Sequence, residues 1–79
     1  MYPYPIDFEL YTEKEAVILV EFLALIEDAN EGKTDSSKLI KKYKQFRKII
    51  NSISTEKQLD REFEKISGYS IYKTIKKYT

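Results

Sequence analysis

Apolar residues recur along most of this chain at the three-to-four-residue spacing of helices that bury one face. Between residues 13 and 31, Ile18, Leu19, Phe22, Leu23, Leu25, Ile26 and Ala29 cover about half of a helical circumference. Val17, Val20 and Ala24 fall on the other side, among Glu13, Glu21, Glu27 and Asp28. A helix this apolar needs cover on more than one face. It is expected to be central to the fold or to contribute to an interface. Thr12-Glu13-Lys14-Glu15 reads as its capping box, the threonine hydroxyl taking an orphan amide and Glu15 reaching back. Gly32 supplies a left-handed stop.

A second helix is predicted over 36–50, capped by Thr34 or Asp35, with Leu39, Tyr43, Phe46 and Ile50 as its inward stripe. Asn51-Ser52-Ile53-Ser54 punctuates the chain, and either serine can cap a third helix over 55–67. Leu59, Phe63 and Ile66 form its stripe, and Gly68 ends it. Ser70 then caps a short helix over 71–78 with Ile71, Ile75 and Tyr78 facing inward. Ahead of all four, Pro3 and Pro5 exclude a helix and predict an extended arm over 1–11. Tyr2, Tyr4, Ile6, Phe8, Leu10 and Tyr11 are too apolar for a free tail, so the arm is expected to lie across the helices. The fold class is all-α: a compact three-to-four-helix bundle with an aromatic N-terminal arm, in one domain spanning 1–79.

Seventy-nine residues suit one domain and bury a modest core. Two glycines and two prolines are too few for an all-β fold. The absence of cysteine and histidine removes disulfides, thiol nucleophiles, Cys/His zinc sites and imidazole acid–base chemistry. No glycine-rich phosphate loop exists, and Glu27, Asp28 and Glu31 do not match a calcium loop. Carboxylate pairs such as Glu13/Glu27 and Glu62/Glu64 sit on amphipathic helices, where such groups are usually solvated. No enzyme activity, cofactor, metal or small-molecule substrate is expected. The Met-Tyr-Pro-Tyr-Pro start lacks the basic and apolar regions of a signal peptide, and Glu21 interrupts the longest apolar run. A cytoplasmic protein with no membrane segment is the expectation.

The charges are segregated. Residues 1–32 carry eight acids against Lys14 alone, and residues 33–79 carry thirteen bases against five acids, so a net charge of +1 hides an acidic and a basic half. Lys38, Lys41, Lys44 and Lys48 gather on the outer side of the second helix, and Lys73, Lys76 and Lys77 on that of the fourth. These faces can neutralise phosphates, although base recognition tends to use arginine and only Arg47 and Arg61 occur. The helix–glycine–helix unit over 55–79 also has the outline of a helix-turn-helix, with Ser70, Tyr72, Lys73 and Lys76 outward. A plain turn between packed helices has the same outline, and Tyr69 and Tyr72 beside it are expected to pack.

The arm Tyr4-Pro5-Ile6-Asp7, the turn Glu31-Gly32-Lys33 and the block E-K-Q-L-D-R-E-F-E-K-I-S-G-Y-S-I-Y-K over 56–73 resemble the YktA-like family, uncharacterised protein family 0223. Ser67-Gly68-Tyr69-Ser70 with Tyr72 and Lys73 is the most specific part. The resemblance covers nearly the whole chain. It implies a small cytosolic all-helical protein of low-GC Gram-positive bacteria, and no catalytic residue or cofactor. Tyr11 stands where the family pattern has tryptophan and Asn51 where it has proline, and the chain stops at Thr79, short of the family's tail.

The expected function is a non-catalytic protein–protein interaction or adaptor module. Its candidate face is Val17, Val20 and Ala24 with Glu21, open to self-association or to another protein. The alternative is nucleic-acid binding through the lysine faces.

Overall fold

The computed structural model describes residues 6–33 and 35–78. Their order is a single 3-10 turn, Phe8–Leu10, followed by α1 (Glu13–Asn30), α2 (Ser36–Ile49), α3 (Ile53–Ser67) and α4 (Ile71–Tyr78). The fold is an all-α bundle. Among the described residues no helix is long and apolar enough to cross a membrane. Tyr2, Pro3, Tyr4, Pro5 and Thr34 lie outside the described residues.

Local capping chemistry sets most of the helix ends. Thr12 accepts from the Glu15 amide at 3.2 Å while the Glu15 carboxylate accepts from the Thr12 amide at 2.9 Å, completing the capping box. Past the end of α1, the Lys33 amide donates to the Asp28 carbonyl at 2.8 Å and the Gly32 amide to Ala29 at 3.4 Å. This Schellman pairing needs a left-handed residue, and Gly32 provides it at φ 76°. Asp35 caps α2 through the Ser37 amide at 2.9 Å. Gly68 closes α3 at φ 83°.

Packing centres on α1, which lies against α2 and α4, with α4 also touching α2 and α3. Leu19, Phe22, Leu23 and Ile26 from α1 meet Leu39, Phe46 and Ile50, then Leu59, Phe63, Ile71 and Ile75, all of them buried. Phe22 and Phe46 stack with ring centroids 4.5 Å apart, and Tyr43 adds an outer ring 5.9 Å from Phe22. Each such fully buried side chain stabilises the fold by about 1.5–3 kcal/mol, which a chain of this length requires.

Several expectations are corrected. α3 starts at Ile53, two positions ahead of the predicted 55, because Ser52 is the serine that caps it, accepting from the Thr55 amide at 3.4 Å. Ile66 shares the α3 stripe yet stays 50% exposed, in the last turn where the chain reverses at Gly68. The arm is not extended throughout: Asp7 accepts from the Glu9 amide at 3.1 Å and winds Phe8–Leu10 into the 3-10 turn. That winding seats Ile6 and Tyr11 on the core and turns Phe8 and Leu10 outward.

Candidate interaction surface

Phe8 at 49% and Val17 at 51% exposure are among the large apolar residues the fold leaves uncovered. They line one groove with Glu13, Ala16, Val20 and Glu21, with a volume of about 530 Å³. Helical spacing explains the grouping, since positions 13, 17, 20 and 24 follow one line on α1. The 3-10 turn adds Phe8 alongside. Ala24 continues the line as a half-buried residue beyond the groove. Sequence periodicity places Val17 and Val20 off the core stripe, whereas Phe8 is expected to lie with the arm across the helices. Only the Asp7 cap, a local polar signal, marks its outward turn.

Glu21 has a second task. Its carboxylate accepts from the Lys42 ammonium at 3.3 Å, tying α1 to α2 while remaining about half exposed. Glu13 has no ion-pair partner among the described residues. Beneath the arm, burial first and then the carboxylates of Asp7 and Glu15 raise the Tyr11 phenol above its ordinary pKa.

The lysines Lys38, Lys41, Lys44 and Lys48 on α2, and Lys73, Lys76 and Lys77 on α4, are all exposed. Lys41 and Lys44 border a groove with Ser36, Ser37, Ile40 and, from α4, Tyr78; none of the α4 lysines lines it. Ser70 does not face outward as a helix-turn-helix would need. Its hydroxyl donates to Asp60 at 3.2 Å and its oxygen accepts from the Lys73 amide at 3.3 Å, which holds it at the start of α4.

Tyr69 packs on the core, but Tyr72 is 64% exposed, contrary to the packing expected of both. Tyr72 lines a groove of about 490 Å³ with Arg47, Ile53, Glu56, Lys57 and Asp60, none of which was singled out for that role. Arg47 donates to the Tyr43 hydroxyl at 3.3 Å and lies over its ring. That hydrogen bond, then the charge of Tyr43 and of the Glu56 carboxylate, raises the guanidinium above its ordinary pKa. Among the described residues no group of three or more acids is arranged to hold a metal ion.

The model of uncharacterised protein family UPF0223 matches residues 1–79. The chain belongs to the UPF0223 family. A UPF0223 protein of Streptococcus uberis is 45% identical over 76 residues, covering 96% of this chain and 82% of the relative. One of Bacillus cytotoxicus is 41% identical over 76 residues, covering 96% and 84%. A Streptococcus pneumoniae member is 45% identical over 74 residues, covering 94% and 79%. The resemblance read from the arm, the glycine turn and the block over 56–73 is thereby confirmed, as is its link to low-GC Gram-positive bacteria. No solved structure gives a significant match.

Proposed function

We propose that this UPF0223 protein is a non-catalytic interaction module whose docking surface is the outer side of α1 with the adjoining 3-10 turn. The observation that supports it is the pairing of Phe8 and Val17, each about half exposed, across one groove. Two large apolar side chains left uncovered along one groove suit a surface that another protein covers. The reading takes the chain to act in the cytoplasm. A photoreactive side chain installed at position 17 tests it in extract of the native cells. The expected result is a discrete cross-linked protein species, absent when the probe is at Lys65 and lost on Phe8→Glu with helicity retained. Equal adducts from both positions, or none, would remove this reading.

A second reading is binding of a nucleic acid through the lysine faces of α2 and α4, where Lys41, Lys44 and Tyr78 line one groove. Phosphate neutralisation predicts affinity that falls steeply with salt. An anisotropy titration with single-stranded and duplex probes at low salt decides it, and absence of binding to all of them ends it.

A further inference from the structure

From the charge around the α1 groove we infer its occupant: a basic amphipathic segment, with an apolar side chain seated between Phe8 and Val17 and lysine or arginine beside it. This rests on the docking reading above and adds the chemistry of the partner.

The groove is acidic where it is lined and acidic where it continues. Glu13 stands at one end and Glu21 along one side, with Glu9 next to Phe8 and Asp28 further along the same side of α1. Glu21 shares its charge with Lys42, whereas Glu13 is exposed in the first turn of α1 with no ion-pair partner among the described residues, open to a cation from outside. Opposed charges at the rim and an apolar anchor at the centre are how helix-in-groove and peptide sites divide specificity from affinity.

The same charges argue against a symmetric pairing of two α1 helices. An antiparallel pairing of two α1 helices centred on Val17 sets Glu13 of one copy against Glu21 of the other. A parallel two-fold pairing sets each acid against itself. Both juxtapose like charges around the anchor, which such interfaces avoid. The lysine side of α2 brings the right sign but no large exposed apolar anchor to fill the space beside Phe8.

The experiment uses the whole protein, isotope-labelled, and two designed helical peptides with the same leucine face, one flanked by lysines and the other by glutamates. The lysine peptide is expected to shift the amide signals of Phe8, Val17 and Val20 to saturation, and the glutamate peptide to leave them in place. Val17→Gln is expected to weaken the lysine peptide about fivefold and Glu13→Lys about tenfold. Equal binding of both peptides, or indifference to Glu13→Lys, overturns the basic occupant. If neither peptide binds but sedimentation shows a dimer that Val17→Gln dissociates, the surface docks a second copy and the basic occupant is wrong. If there is neither peptide binding, nor a dimer, nor an adduct at position 17, the docking reading falls with it.

Discussion

Asp60 on α3 accepts from the backbone amide of Ile71 at 2.7 Å, and so a carboxylate from one helix caps the start of another. The Ser70 hydroxyl donates to the same carboxylate, and Ser70 in turn caps the Lys73 amide. The first turn of α4 has orphan N–H donors for which the helix holds no acceptors of its own, and at eight residues the helix is too short to be stable alone. The charge also opposes the positive end of the helix dipole. The position of α4, and with it the burial of Ile71, Thr74 and Ile75, depends on this reach from α3.

Asp60→Ala therefore removes an acceptor from two donors at once. The expected loss is about 1–2 kcal/mol, read as a lower melting temperature and faster amide exchange in α4 than elsewhere. Asp60→Asn, which retains one acceptor oxygen, is expected to lose less. Equal exchange rates throughout the bundle in Asp60→Ala would show that α4 is held by its apolar side alone.

Much of this architecture was legible because its signals are local. The Thr12–Glu15 box, the stops at Gly32 and Gly68, and the stripe of Leu39, Phe46 and Ile50 each arise from neighbouring residues in one helix. The unread parts depend on contacts between elements. Asp60 looks like one member of a solvated charge pattern until α4 folds back on it. Ile66 has the right spacing for the core but sits where the helix is ending. For the candidate surface, periodicity was enough to place Val17 and Val20 outward. The outward turn of Phe8 required knowing that Asp7 would wind the arm.

The Asn30 side chain joins the C-terminal end of α1 to α4, donating at 2.8 Å to both the Ile26 carbonyl and the Thr74 hydroxyl. Thr74 is 2% exposed, and its hydroxyl donates to the Ser70 carbonyl at 2.7 Å. Thr74→Val keeps the shape and deletes the bridge. It is expected to destabilise the fold by about 1 kcal/mol, or roughly 4–8 °C in melting temperature for a domain of this size. In a double-mutant cycle with Asn30→Ala the two losses should be less than additive. Full additivity would separate the two residues energetically.

Gly68 adopts φ 83°, and a Cβ placed there would meet nothing within 4 Å. The cost of Gly68→Ala is therefore conformational rather than steric, about 1–2 kcal/mol. Gly68→Asn is expected to recover part of it, because asparagine tolerates the left-handed region. Denaturant midpoints of the two variants check the order, and an alanine variant as stable as the parent would mean that the turn has changed its conformation.

Tyr11 gives the fold an alkaline sensitivity with a defined sign. Its phenol is raised above the ordinary value of 10.0 first by burial and then by Asp7 and Glu15, so the folded chain holds the proton more tightly than the unfolded one. The stabilisation is fully present below that ordinary value and is lost as the pH rises through the higher folded one. Tyr11→Phe removes the titrating group. Across a series of thermal melts from neutral pH upward, the stability of the parent relative to Tyr11→Phe should stay level up to about pH 10 and then decline. A difference that stays constant through that range would mean that the phenol ionises as readily in the folded chain as in the unfolded one, and that the arm does not shield it.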